Sequence, residues 1–249
     1  AMADAPPMEM GLIFEATAAA AYTSIGLENS ASHIIVVDVG AGTTDITALG
    51  RIDGRMVELT QARETLSQAG DFLDRVIANR VLDMNKRRTV EEQSDLWTSV
   101  MHQMRDIKET VFIDGQVRLR HENQVISLSL RDIERDADFR AFIKTLTEIY
   151  DRATATVRDN APKRANVQAI AVGGGAGLPF IQALLRREIK RGPRVRPRPA
   201  TPEWANASEF RGNLAPVFPQ LAISIGGALA PEDMLAAGGG LSPRVVRSG

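Results

Sequence analysis

The chain switches between two hydrophobic periods. His33–Asp38 (HIIVVD) is a continuous β-branched run with glycines behind it, which predicts a strand buried on both faces. Ile46, Ala48 and the stretch Met56–Leu59 continue as strands, with Asp53-Gly54 as a two-residue turn between them. From Asp71 to Asn85 the apolar positions Phe72, Val76, Ile77 and Val81 recur at helical spacing. Asp95–Phe112 shows the same pattern as a single helix, through Trp97, Val100, Met101, Met104, Ile107 and Val111. The period then falls to two. Val117/Leu119 and Ile126/Leu128/Leu130 flank a turn at His121–Asn123 and predict a β-hairpin. Phe139–Val157 returns to helical spacing, and Val167–Val172 (VQAIAV) predicts a second buried strand.

The ends of the chain follow the same rules. Ala16–Tyr22 is an alanine-rich helical stretch closed by Gly26, behind a loose leader at residues 1–10. Pro179 sits where a helix begins, with Phe180–Ile189 following. Arg186–Arg198 is dense in arginine and broken by prolines, so no regular helix can run through it. Pro219–Ala230 predicts a last helix, and the glycine-rich stretch 231–249 a flexible tail. Strand–helix alternation around a helix–helix–hairpin segment implies an α/β core, residues 12–74 and 136–230, with a smaller α+β subdomain inserted over 75–135.

Composition narrows the function classes. At 249 residues and 44% hydrophobic content the chain can bury a sizeable core. A formal net charge of -1 disfavours a dedicated nucleic-acid binder. No apolar run is long enough for a membrane helix, and Asp4, Pro6, Pro7 and Glu9 stand where a signal peptide would be basic. The chain has no cysteine, so a reducing cytoplasm is the expected compartment. His33, His102 and His121 are too far apart in sequence to suggest a metal cluster. The first residue is Ala1 rather than methionine, which raises the expectation that this is a piece of a longer protein.

The sharpest local feature is Asp38-Val39-Gly40-Ala41-Gly42-Thr43-Thr44-Asp45. A buried strand ends in an acid, then a glycine turn, two hydroxyls and a second acid. Glycines leave no Cβ between backbone N–H groups and an anion, and threonine hydroxyls can add hydrogen bonds to phosphate. An acid at the strand end can hold Mg²⁺ through water, because magnesium keeps much of its hydration shell. The same octapeptide could equally be an ordinary glycine-rich β-turn. Gly173-Gly174-Gly175-Ala176-Gly177 also joins a strand to a helix, but it lacks the spacing of a dinucleotide fingerprint, and the chain has no lysine-bearing phosphate loop.

Order along the chain adds what the single motifs lack. Glu15-Ala16-Thr17-Ala18-Ala19-Ala20 resembles the E-P-T-A-A-A of DnaK-type heat-shock chaperones, and the octapeptide from Asp38 resembles their D-[LV]-G-G-G-T-x-D phosphate hairpin. Ala69–Asp74 (AGDFLD) is similar to G-G-D-D-F-D, and Met104–Val111 (MRDIKETV) resembles the helix carrying E-x-x-K. Val172–Pro179 (VGGGAGLP) resembles V-G-G-S-[TS]-R-[IM]-P, and Ala222–Ala228 (AISIGGA) the closing A-V-A-x-G-A-A helix. The resemblance spans roughly residues 12–230 in register.

It implies a ribonuclease-H-like, actin-type ATPase lobe, the second of two between which ATP or ADP lies with Mg²⁺. Asp38 matches the magnesium-associated aspartate and Glu15 the glutamate near the attacking water. Gly40, Ala41, Gly42, Thr43 and Thr44 fall on the phosphate hairpin, Lys108 on the lysine beside adenosine, and Gly174 and Gly175 on the adenosine turn. The catalytic set is therefore Glu15, Asp38 and Thr43. Departures cluster around the base: Glu109 replaces an arginine, Phe112 a serine, Gly177 the arginine that stacks on adenine, and Gln220 an aspartate.

The first lobe's own phosphate hairpin and lysine have no counterpart here, so the chain alone is expected not to hydrolyse ATP, and its first partner is that missing lobe. The alternative is a scaffold or interaction protein that keeps the fold without turnover; a filament-forming or kinase relative is a third. The basic loop 186–198 is either a solvated loop or a site for an acidic protein partner, with nucleic acid disfavoured because no aromatic residues interleave its charges.

Overall fold

The computed structural model describes residues 15, 17–20, 31–52, 55–85, 89–122, 124–197 and 217–228. Its centre is a mixed sheet. β1 (His33–Val39) pairs antiparallel with β2 (Thr44–Ile52) and parallel with β7 (Val167–Val172). β3 (Arg55–Glu58) and β4 (Glu64–Leu66) extend β2, a 3₁₀ turn at Thr60–Ala62 lies between them, and β8 (Val195–Pro197) pairs in parallel with β7 at the far edge. The strand order is β3-β2-β1-β7-β8. This is a mixed α/β fold.

Both faces of the sheet are covered, which is why β1 reads as an unbroken apolar run. Ile35, Val37 and Val39 alternate onto one face, where they share a core with Ile46, Ala48, Ala169 and Ala171. The long helix α5 (Ala137–Asn160) closes that face with Phe142, Leu146, Ile149, Tyr150 and Val157. Ile34 and Val36 point the other way, with Leu49, Ile170 and Val172, onto Ala19 and Ala20 and onto Phe218 and Ala222 of α7 (Phe218–Gly227). The helical residues Thr17–Ala20 and α7 meet closely: a Cβ on Gly226 would overlap the Ala18 carbonyl oxygen.

Between β4 and α5 run α1 (Gly70–Asp83), α2 (Val90–His102), α3 (Met104–Asp114), the hairpin β5 (Gln116–His121) and β6 (Gln124–Ser129), and the short α4 (Leu130–Glu134). After β7 comes α6 (Pro179–Leu185). The apolar core of these elements is continuous with that of the sheet, through Leu73, Ile77, Leu96, Ile107 and Leu128.

Four expectations are corrected. The single helix over 95–112 is two helices: Gln103, at φ -103 and ψ 6, leaves the helical region and separates α2 from α3. Helix α2 also starts earlier, on a Thr89–Glu92 capping box. Leu130 is the first residue of α4 rather than the end of a strand, because Ser129 caps that helix through Asp132. Helix α6 stops at Leu185, and Ile189 is buried in the turn that follows. The Asp53-Gly54 turn, Asn123, the helix end at Tyr22 and the tail from residue 231 lie outside the described residues, although Ile52 pairs with Arg55 across that first turn.

Candidate functional site

The sheet brings its two glycine turns to one edge. β1 and β7 are parallel, so the turn after Val39 and the turn after Val172 leave the sheet side by side. They are joined: the Gly175 N–H donates to the Val39 carbonyl at 3.0 Å. The start of α1 fastens the first turn from another side. Gly70 N–H donates to the Gly40 carbonyl at 3.2 Å and Asp71 N–H to the Ala41 carbonyl at 2.8 Å. Ala69 supplies no side-chain cap to α1, so the turn's carbonyls satisfy these two helix-end donors. The start of α7 closes the second turn, where Gly173 N–H reaches the Pro219 carbonyl at 2.9 Å.

The steric demand for glycine falls on the second turn rather than the first. No residue of the 40–43 turn has positive φ, so Ala41 fits it without strain, and a Cβ on Gly42 would meet nothing within 4 Å. Gly173 and Gly175 are the constrained positions, since a Cβ on Gly175 would overlap the Val39 side chain, and Gly173 is limited by its backbone as well. Gly173 sits at φ 83, and a Cβ there would lie 2.5 Å from both the Asp38 carboxylate and the Val39 carbonyl.

These turns line a cleft of about 290 Å³. Gly40 and Ala41 form one wall, Gly174 and Gly175 another, and Lys108 and Glu109 of α3 a third, with Gln220 of α7 at the edge. Five sequence-predicted residues therefore meet: Gly40, Ala41, Lys108, Gly174 and Gly175. Gly42 and Thr43 are exposed at the tip of the same turn. Thr44 is corrected, because its side chain is fully buried and its hydroxyl donates to the Gln68 carbonyl at 2.9 Å, so it braces the turn from inside.

Asp38 lies beneath the turn. Burial pushes its carboxyl up to about 6, and the charges of Glu15 and Asp45 add to the shift. Glu15, exposed on its helix, is thus within electrostatic reach of Asp38. Asp45 is tied to the Thr65 hydroxyl at 2.6 Å. The two cations of the cleft wall are also tied: Lys108 to Asp74 at 2.6 Å and Arg105 to Glu109 at 3.0 Å.

Sequence patterns missed Arg105 and the role of Gly70. A signal was there, since Arg105, Lys108 and Glu109 share one face of a helix at i, i+3 and i+4. Of the residues differing from the chaperone pattern, Glu109 and Gln220 do line the cleft. Phe112 does not. It is buried in an aromatic cluster, 5.8 Å from the Phe180 ring and 6.3 Å from Phe139. A slightly larger recess, about 320 Å³, lies over that cluster, but its walls are mostly apolar and it holds none of the predicted site residues. The polar and charged lining, Asp71, Arg105, Lys108, Glu109 and Gln220, places the candidate chemistry at the glycine cleft instead.

A family model described as Hsp70 protein matches residues 9–197, a span that includes Glu15, both glycine turns and Lys108. No helix among the described residues is long and apolar enough to cross a membrane. The match covers most of the chain, and this protein belongs to the Hsp70 family, the chaperone-type ATPases of the actin and sugar-kinase superfamily.

Proposed function

We propose that this chain is the second, nucleotide-facing lobe of a DnaK-type ATPase and binds ATP or ADP as one half of a two-lobed cleft. The observation that carries this is the convergence of Gly40, Ala41, Lys108, Gly174 and Gly175 on one cleft above Asp38. The backbone N–H groups of Ala41, Gly42 and Thr43 and the exposed Thr43 hydroxyl face the phosphates, while the Gly40 N–H closes the turn onto the Thr43 carbonyl at 3.0 Å. Lys108, Gly174 and Gly175 flank the nucleoside. Glu15 orients the water that attacks the γ-phosphate.

The residues present suit a divalent cation. Burial first, and then the negative charges of Glu15 and Asp45, keep the Asp38 carboxyl near 6. A cation would offset those charges, but no group of three such side chains among the described residues could ligate it directly. Asp38 would hold Mg²⁺ through water, and the ion, when bound, offsets phosphate charge.

Hydrolysis needs more than this lobe. Lys108 and Arg105 are engaged by Asp74 and Glu109, so the turn offers phosphate its N–H dipoles but no unpaired cation from the cleft wall. Phosphoryl transfer requires positive charge on the far side of the phosphates as well, which the first lobe supplies. Calorimetric titration with ATP, ADP and GTP, each with Mg²⁺, together with a phosphate-release assay, tests the proposal. Weak, magnesium-dependent binding without phosphate release is expected. Micromolar binding or steady turnover by the chain alone would sink the half-cleft. The alternative, a scaffold without turnover, draws on Glu109, whose carboxylate stands in the cleft wall; it predicts no binding of any nucleotide.

A further inference from the structure

At the end of the sheet opposite the glycine turns, β7 and β8 begin side by side, with Val167 in register with Val195. The loops that lead into these strands, 161–166 and 190–194, are therefore neighbours. The first presents Lys163 and Arg164 to solvent, the second Lys190, Arg191 and Arg194, and Arg196 is exposed on β8 itself. None of these six cations has an ion-pair partner among the described residues, whereas nearby Arg158 and Arg187 are paired with Asp159 and Asp151. Residues 158–197 hold nine lysines and arginines against two acids, in a chain whose formal net charge is -1. The remainder of the molecule is acidic, so the charge is strongly polarised.

The patch is held rigidly. Gly192 N–H donates to the Ile189 carbonyl at 3.0 Å, and Ile189, Pro193 and Val195 are buried beneath the exposed cations. Arg191 is kept at φ 59, a left-handed conformation that is unfavourable for a residue with a Cβ and that glycine would adopt freely. In the other loop, Ala165 N–H reaches the Pro162 carbonyl at 2.8 Å, and the Asn166 carbonyl accepts from Ser32 N–H at 2.9 Å. The backbone that carries these cations is already ordered, so only their side chains lose freedom when an anion arrives.

We infer that this pole docks a short acidic segment of a partner protein, laid across the 161–166 and 190–194 loops. Guanidinium forks match carboxylates two bonds at a time. The loops offer no exposed large apolar side chain to enter a bilayer: among the described residues those lie at Ile52, Met84, Val90, Met101, Ile113, Val125 and Val217. They offer no aromatic ring for base stacking either. The acidic remainder of the molecule repels a long polyanion but leaves room for a short one. The patch lies across the sheet from the nucleotide cleft, so the inference does not depend on nucleotide binding.

Fluorescence anisotropy with the whole chain decides it, using a short labelled peptide of alternating glutamate and serine, an oligothymidylate of the same length, and phosphatidylserine vesicles. Peptide binding is expected at low salt, weakening about tenfold at physiological salt as the charges are screened. Each charge-reversed pair, K163E/R164E and K190E/R194E, should weaken it by about tenfold or more, while R118E on β5 changes nothing. Circular dichroism melts establish that the variants fold, and either pair suffices if the other does not. The inference is overturned by absent peptide binding, by binding that survives both reversals, or by tighter binding of oligonucleotide or vesicles at the same loops.

Discussion

Gly173→Ala isolates the joint between the two glycine turns. At φ 83 an alanine loses about 1–2 kcal/mol from the clash of its Cβ with the following carbonyl. The new methyl would also stand 2.5 Å from the Asp38 carboxylate and from the Val39 carbonyl. The Val39 carbonyl cannot retreat easily, since it accepts the Gly175 N–H at 3.0 Å, and Gly173 itself is held to the Pro219 carbonyl at 2.9 Å. Overpacking of this kind adds about 1–3 kcal/mol. A lower unfolded-chain entropy returns about 0.4–1 kcal/mol, leaving a net loss of about 1–4.6 kcal/mol. Urea denaturation followed by circular dichroism measures it as a lower midpoint at unchanged slope. Gly174→Ala is the matched control, one residue on, without positive φ and with nothing within 4 Å of its Cβ. It should change stability by less than about 0.5 kcal/mol while its methyl, in the cleft wall, weakens nucleotide binding. Equal stability of wild type and Gly173→Ala, or equal losses in the two variants, would refute the geometry.

Asp38→Asn should act through pH. The folded carboxyl is raised to about 6 by burial, then by Glu15 and Asp45, so its contribution is favourable below about pH 4 and is lost as pH rises through about 6. Asparagine removes that loss: the variant should match wild type at pH 4 and exceed it by about 1–2 kcal/mol at pH 8, after allowing for the solvent that still reaches the group. The same variant should lose the magnesium dependence of nucleotide binding, which titration with and without Mg²⁺ reports. Lys108→Met leaves Asp74 without its partner and should cost about 1–2 kcal/mol in urea denaturation. Asp74→Asn in that background should recover most of the loss, and a double-mutant cycle without coupling would show that the pair is idle.

Much of this was legible because the physics was local. β1 and β7 could be found as continuous apolar runs since both faces of the sheet are covered, and the turns that follow them were marked by glycine. What escaped depended on tertiary contact. Val100, Met104, Ile107 and Val111 keep helical spacing across the break at Gln103, so periodicity alone could not show that two helices share one stripe. β8 is three residues inside a proline- and arginine-rich loop, and only its pairing with β7 makes it a strand. Thr44 looked equivalent to Thr43, yet one step along a strand reverses the side chain, which turned the first hydroxyl inward to Gln68 and left the second exposed. The wall contributed by Arg105 required knowing where α3 lies against the turns.

The central claim, that the two glycine turns together hold nucleotide phosphate, is tested most directly by nitrogen-15 amide NMR of the chain titrated with magnesium ADP, which detects even weak occupancy residue by residue. Saturable shifts concentrated at Gly40, Ala41, Gly42, Thr43, Gly174 and Gly175, and removed when magnesium is withheld, are the expected result. Shifts confined to the recess around Phe112 and Phe180, or none at millimolar nucleotide, would contradict it.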